Sequence, residues 1–93
     1  MPSPERKLER QLVAYCKQNG VYCRKFVSPG CAGVPDRILL RAGQVVFLEL
    51  KSPGKKPSAL QTREMELIRR AGGVAMCEDS WEVIQSLIDT YLL

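Results

Sequence analysis

The sequence DRILLRAGQVVFLELK, residues 36–51, predicts a β-hairpin around which the other elements can be arranged. Two runs rich in β-forming residues, 36–41 and 45–51, flank Ala42 and Gly43, and a glycine at this position suits a tight two-residue turn. With these two residues as the loop, Arg41 pairs with Gln44. The same register places residue 36 directly opposite residue 49.

The residues before the hairpin predict a helix, a short strand and a loop. Ser3 and Pro4 have the character of an N-cap and a first helical residue, and apolar residues recur at helical spacing as far as Asn19. Residues 21–26 are short and rich in β-formers, which predicts a strand. The stretch SPGCAG, residues 28–33, is typical of a flexible or ligand-facing loop.

The residues after the hairpin predict a second helix, a buried strand and a third helix. Ser58 and Gln61 have the spacing of a capping box, and the glycines at 72 and 73 end that helix. Residues 74–77 form a short apolar run, and Ser80 is placed to cap the last helix. The predicted inner face of the second helix consists of Leu60, Leu67, Ile68 and Ala71.

The predicted order of elements is therefore α-β-β-β-α-β-α. A helix between the third and fourth strands implies a right-handed crossover and a parallel pair, so we expect an α/β fold with a mixed sheet flanked by helices. Ninety-three residues suffice for one core, and we expect a single domain over residues 1–93.

Composition excludes several classes of protein. Hydrophobic residues make up 45% and charged residues 26%, which is ordinary globular usage, and no apolar run approaches the length of a membrane span. The sequence contains no histidine, which removes Ser-His-Asp triads, Cys-His pairs and histidine metal sites. The four cysteines include no C-x-x-C pair, so reduced thiols are expected. A net charge of +4 favours polyanionic partners such as nucleic acid.

The hairpin brings together a set of charged residues that suits phosphodiester chemistry. Glu49 and Lys51 are two apart on a strand and share one face, whereas Leu48 and Leu50 point the other way into a core. Asp36 lies opposite Glu49 in this register, so the Cβ atoms of the two residues would be roughly 4.5–5.5 Å apart. Two like charges at that distance repel each other. A divalent cation such as Mg²⁺ or Mn²⁺ would offset that repulsion, and Lys51 could stabilise charge on a phosphate.

At these residues the chain resembles a known family. The segments GVPD at 33–36, ELKSPG at 49–54 and LQ at 60–61 are similar to the PD-(D/E)xK nuclease pattern in its VRR-NUC (virus-type replication-repair nuclease) form. The resemblance extends from the first helix to Gly72 and beyond, and it is that of a stand-alone protein. It implies a restriction-endonuclease-like core.

The resemblance also implies roles for individual residues. Asp36 and Glu49 match the metal-binding carboxylates, the main-chain carbonyl of Leu50 matches a further ligand, and Lys51 matches the catalytic lysine. Gln61 matches a glutamine near the active site, although its place in the capping box explains it equally well. The glutamate of the first helix has two candidates, Glu5 and Glu9. Glu9 is favoured, because the surrounding run ERQLV at 9–13 also resembles archaeal Holliday-junction resolvases.

The activity that the resemblance implies is that of a Mg²⁺- or Mn²⁺-dependent, structure-selective DNA endonuclease. Relatives of this kind suggest a resolvase-like homodimer acting on branched DNA in replication, repair and recombination, within the cytoplasm of a bacterial or phage-infected cell. Cleavage of flaps or other branched DNA, and a non-catalytic nucleic-acid-binding module, are the alternatives. Residues placed to follow a phosphate backbone, unless they serve only solubility, are Arg24, Lys25, Lys55 and Lys56.

Overall fold

The computed structural model describes residues 2–93, and within them the chain forms three helices and four strands. In chain order they are α1 (Pro4–Gln18), β1 (Tyr22–Lys25), β2 (Arg37–Arg41), β3 (Gln44–Leu50), α2 (Ala59–Arg70), β4 (Val74–Glu78) and α3 (Trp81–Leu92). This is the order that the sequence predicts. The predicted strands differ from the observed bounds by one residue, at both ends for 21–26 and 45–51 and at one end for 36–41 and 74–77.

The turn between β2 and β3 sets the register of the central hairpin. Ala42 has φ 53° and Gly43 has φ 81°, so both turn residues adopt positive φ, as a type I′ turn requires. Arg41 therefore lies opposite Gln44, and Arg37 lies opposite Leu48. The predicted register is confirmed, and one further step along it aligns position 36 with position 49.

The four strands form one mixed sheet with the order β1-β2-β3-β4. β1, β2 and β3 form an antiparallel meander, and β4 runs parallel to β3 with Glu49 beside Cys77 and Leu50 beside Glu78. The parallel pair needs a crossover, and α2 provides it. The α/β class with a mixed sheet flanked by helices is confirmed.

The core lies between one face of the sheet and the helices α1 and α3. Leu12 of α1 and Ile84 of α3 are fully buried there, against Leu39 and Leu48 of the sheet. Burial of each such side chain stabilises the fold by about 1.5–3 kcal/mol. Because Leu48 and Leu50 point into this core, Glu49 and Lys51 are directed to the opposite face of β3.

Helix α2 begins with the predicted capping box, but its predicted inner face is wrong. Leu60 is 57% exposed and Leu67 is 44% exposed, whereas Met65 is buried. Ile68 is half-buried, as an inner position should be, and Ala71 is exposed. A face containing Met65 and Ile68 also contains Gln61 at helical spacing, so the buried stripe of α2 carries a polar residue that the apolar pattern overlooked.

Two serines at helix N-termini behave differently. Ser3 caps α1 by accepting a hydrogen bond from the backbone N–H of Arg6 at 3.2 Å. Ser80 occupies the N-cap of α3, as predicted, but its hydroxyl donates to the carboxylate of Glu82 at 3.0 Å and accepts no backbone N–H.

Over residues 2–93, none of the helices has the length and apolar character needed to cross a membrane.

Candidate active site

Asp36 and Glu49 meet at the end of the β2–β3 hairpin. The backbone carbonyl of Asp36 accepts a hydrogen bond from the N–H of Phe26 at 2.7 Å, which ties the residue before β2 to the end of β1. Asp36 is exposed, whereas Glu49 is only 3% exposed. The predicted pairing of these two acids across the hairpin therefore places one carboxylate inside the protein and one at its surface.

Burial raises the pKa of Glu49 to about 8, and the neighbouring Asp36 carboxylate adds to this effect. Lys51 acts in the opposite direction, because its positive charge favours the ionised carboxylate. The protein thus holds Glu49 at a position where its negative charge is costly. A cation placed between the two acids would relieve that cost.

The two oxygens of the Glu49 carboxylate have different surroundings. Oε2 accepts a hydrogen bond from the side-chain amide of Gln61 at 3.1 Å and lies 3.9 Å from Nζ of Lys51. Oε1 is buried and has no hydrogen-bond partner. A buried carboxylate oxygen without a partner is costly, so this atom is suited to a ligand.

The residues at this position fit a hard divalent cation. Mg²⁺ is usually held in proteins by one or two carboxylates, with water and substrate phosphate completing its shell. Asp36 and Glu49 are the carboxylates that could hold such an ion, with the Leu50 main-chain carbonyl next in sequence. Within residues 2–93, no group of three or more Cys, Asp or Glu side chains is spaced to hold a metal ion.

Lys51 is held at the end of β3 by the sheet. Its backbone N–H donates to the carbonyl of Glu78 at 3.0 Å, which extends the parallel ladder with β4. Its side chain is 20% exposed, so the ammonium group is partly withdrawn from water beside Glu49. The predicted shared face of Glu49 and Lys51 is confirmed.

A close approach of two backbones connects the loop before Asp36 to helix α2. Gly33 has φ +98°, and a Cβ atom at this position would lie 2.8 Å from the backbone carbonyl of Leu60. Pro35 beside it is buried. The glycine of the GVPD segment therefore allows the loop to pack on the first turn of α2, next to Gln61.

Glu9 lies in a second part of the site with Arg37, a residue that the sequence reasoning did not assign to the site. Arg37 is buried, its guanidinium lies 3.6 Å from Oε1 of Glu9, and its Nε has no partner. Arg37 shares one face of β2 with the buried Leu39, and a buried charged residue needs a reason. Glu5, Glu9, Lys25, Asp36 and Arg37 all line one cavity of about 180 Å³.

The four predicted phosphate-contacting residues are not gathered at one place. Lys25 lines the cavity beside Asp36. Arg24 instead lies over the ring of Tyr22, 4.4 Å from its centroid. Lys55 and Lys56 are exposed in the loop after β3, where the N–H of Gly54 donates to the Asp79 carboxylate at 2.8 Å.

The chain and its fold have counterparts among known proteins. No family model matches the chain. A curated protein of Acyrthosiphon pisum secondary endosymbiont phage 1, named "Putative nuclease p44", is 39% identical over 80 residues, which is 85% of this chain and 86% of that protein. A solved structure named "VRR_NUC domain" superposes with a TM-score of 0.88 at 27% identity, over 97% of this chain and 99% of the other. The chain belongs to the VRR-NUC family.

The VRR-NUC fold is matched by a further structure, named "VRR_NUC domain protein", with a TM-score of 0.80 over 94% of this chain and 86% of the other. Its 18% identity makes this a likeness of fold. The match to the first structure covers nearly the whole of both chains, so the VRR-NUC fold spans this chain. It is a nuclease by family.

Proposed function

We propose that this VRR-NUC nuclease is a Mg²⁺- or Mn²⁺-dependent endonuclease that hydrolyses phosphodiester bonds in DNA. The observation that carries the proposal is the buried Glu49 carboxylate, which faces Asp36, keeps one oxygen for Gln61 and Lys51, and leaves the other without a partner. A glutamate that served only as a solvent-exposed residue of the strand would not need to be buried. A metal ligand benefits from it, because low polarity strengthens its attraction for a cation.

Asp36, Glu49 and the Leu50 carbonyl would hold the metal ion in this proposal. The bound ion supplies Lewis acidity, which lowers the cost of negative charge on the phosphate and makes water easier to deprotonate. Gln61 restrains the Glu49 carboxylate from the side away from that ion, because its amide occupies Oε2.

Lys51 is proposed to act directly on the substrate. Its ammonium group lies 3.9 Å from Glu49 Oε2, which is an ion-pair distance and leaves its three N–H donors free to turn toward a phosphate oxygen. In that position it stabilises the charge that develops on the phosphorus oxygens and orients the attacking water. A lysine suits this role because it provides a compact charge on a flexible stem.

DNA contacts are proposed for the exposed basic residues. Lys25 borders the Asp36 cavity and can meet a phosphate next to the cleaved one. Lys55 and Lys56 follow Lys51 in an exposed loop, and Arg24 extends the basic surface along β1. Each contact would release counterions, so binding should weaken steeply as salt rises.

Branched DNA is proposed as the substrate and a homodimer as the active form, by analogy with resolvases. Two symmetric sites would make the paired cuts that a four-way junction needs. Helix α3 carries the apolar residues Val83 and Tyr91 on its outer side, 46% and 40% exposed, where they line a groove of about 390 Å³. Sedimentation of the parent and of a Val83→Glu variant tests this surface, and a parent that sediments as a monomer would contradict the dimer.

The cleavage experiment uses the full chain with synthetic four-way junctions, flaps, nicked duplexes and single strands. The parent should cut in Mg²⁺ or Mn²⁺ and stop when the metal is chelated. Lys51→Ala and Asp36→Ala should each lose at least about a hundredfold in rate. Lys17→Ala, at an exposed lysine in the last turn of α1, is the matched control and should cut at the rate of the parent.

A calorimetric titration with Mn²⁺ separates the nuclease from a module that only binds nucleic acid. The proposal expects one or more Mn²⁺ sites in the parent that disappear in Glu49→Ala, while DNA binding at low salt persists. A parent that binds DNA, takes up no Mn²⁺ and cuts none of the four substrates would overturn the proposal.

A further inference from the structure

Two of the four cysteines form a thiol pair outside the site described above. Cys16 lies in the last turns of α1 and Cys23 lies on β1, and the backbone N–H of Val21, two residues before Cys23, donates to the Cys16 carbonyl at 2.9 Å. Cys16 is 1% exposed and belongs to the core, whereas Cys23 is half-buried at its border. Both are free thiols.

The buried guanidinium of Arg37 lies against the same pair. Its positive charge acts on the Cys23 thiol, and its Nε is left without a partner although the residue is 93% buried. The neighbouring Cys16 thiol and the charge of Arg37 lower the pKa of Cys23 to about 7. The Cys23 thiol and burial raise the pKa of Cys16 instead. Cys23 is therefore the thiol that ionises more readily, and Cys16 is the thiol that stays protonated.

A cavity gives small molecules access to this pair. It has a volume of about 460 Å³ and is lined by both cysteines together with Val13, Gly20 and Tyr22, among others. Cys23 packs against the core cluster that contains Cys16, and a disulfide would bring the two sulfurs to roughly 2.05 Å. The pair therefore combines an ionisable thiol, a neighbouring thiol and room for a small oxidant.

We propose that Cys16 and Cys23 are a redox-sensitive dithiol that a hydroperoxide converts into an intramolecular disulfide between α1 and β1. In the first step the Cys23 thiolate attacks the O–O bond, taking one oxygen as a sulfenic acid and releasing hydroxide. In the second step Cys16 attacks that sulfur, forming the S–S bond as water leaves. Two thiols and one hydrogen peroxide give one disulfide and two waters.

The other two cysteines have surroundings that oppose this reaction. The Cys31 thiol hydrogen bonds to the carboxylate of Glu64, and burial together with the charge of Glu49 acts on Cys77. Both effects raise the pKa of these thiols, which keeps them protonated and slow to react. Oxidation is therefore expected at one pair rather than at all four cysteines.

Oxidation of Cys16 and Cys23 would also change the contacts of Arg37, which lies in the candidate active site. This residue contacts Cys23 on one side and Glu9, at 3.6 Å, on the other. A disulfide removes the thiolate from the first contact, so the guanidinium keeps only the carboxylate. The dithiol itself does not depend on the proposed nuclease activity, and its test needs no DNA.

Mass spectrometry of the full, folded chain tests the proposal directly. After treatment with hydrogen peroxide the intact mass should fall by two hydrogen atoms. Trypsin should then release residues 11–17 joined to residues 18–24, because Arg10, Lys17 and Arg24 bound two peptides with one cysteine each. In Cys16→Ala, Cys23 should instead be trapped as a sulfenic acid by dimedone. The Cys31→Ser and Cys77→Ser variants should still form the link.

The rate of alkylation provides a second readout that needs no variant. With limiting iodoacetamide at neutral pH, Cys23 of the reduced parent should react at least about tenfold faster than Cys31. A peroxide-treated parent whose disulfides involve Cys31, Cys77 or a second chain would overturn the proposal. So would a Cys23 that is neither oxidised nor alkylated faster than Cys31.

Discussion

The side-chain amide of Gln61 joins the N-terminal cap of α2 to the carboxylate of Glu49. Its Oε1 accepts the backbone N–H of Ser58 at 2.8 Å, and its Nε2 donates to Glu49 Oε2 at 3.1 Å. The sequence left open whether Gln61 serves the helix or the site. In the structure Gln61 contacts both the helix cap and Glu49, because the oxygen of its side-chain amide accepts a hydrogen bond while the nitrogen donates one.

Replacing Gln61 by Ala should lower both stability and activity, and Ser58→Ala provides the matched control. Each variant loses half of the capping box, at about 0.5–2 kcal/mol of unfolding free energy. Gln61→Ala additionally frees the Glu49 carboxylate to rotate away from its ligand position. Urea unfolding should therefore give similar losses, while the cleavage rate should fall about tenfold or more in Gln61→Ala alone. Equal rates in the two variants would show that Gln61 serves only the helix.

Gly33→Ala should destabilise the protein more than Gly30→Ala does. Both glycines have positive φ, at +98° and +77°, so both substitutions strain the backbone by roughly 1 kcal/mol. At Gly33 the new Cβ would also lie 2.8 Å from the Leu60 backbone, whereas nothing lies within 4 Å of Gly30. The loop before Asp36 must then move off α2. Thermal unfolding and cleavage rates should both separate the two variants.

The elements of the fold that depend on local residue chemistry could be predicted from the sequence. Ala42 and Gly43 specify their own turn, and the turn fixes the register that aligns Asp36 with Glu49. The inner face of α2 could not be predicted from apolar spacing, because Leu60 and Leu67 are exposed and the more buried stripe of Met65 and Ile68 includes the polar Gln61. Arg37 was missed for a related reason, since only tertiary packing shows that its charge is buried under α1 beside Glu9.

The choice between Glu5 and Glu9 can be made by paired substitutions. Glu9→Gln removes the 3.6 Å ion pair with the buried Arg37, while Glu5 lines the same cavity and forms no ion pair within residues 2–93. Because the Glu9 side chain is 36% exposed, the cost is discounted to about 0.5–1.5 kcal/mol. Glu5→Gln should cost less than about 0.5 kcal/mol. Cleavage by the two variants in Mg²⁺ should follow the same order, and a larger loss in Glu5→Gln would reverse the assignment.

The stability of the metal-free protein should fall as the pH rises toward 8, and Glu49 is the cause. Its pKa is raised to about 8 by burial and by Asp36, from an ordinary value of 4.5. Between these two values the folded chain holds a proton at Glu49 that the unfolded chain has released, so unfolding becomes progressively more favourable with increasing pH. At about 1.4 kcal/mol per pKa unit, the loss over this range should amount to a few kcal/mol.

Glu49→Gln should remove this pH dependence, because the neutral amide has the shape of the protonated acid and does not titrate. At pH 9 the metal-free variant should therefore unfold at a higher temperature than the parent, although it has lost its metal ligand. Mg²⁺ should stabilise the parent at pH 9 and leave the variant unchanged. Thermal unfolding at pH 6 and pH 9, with and without Mg²⁺, measures all of these differences. A parent whose unfolding temperature is the same at both pH values without metal would show that the Glu49 carboxylate is not held at a costly position.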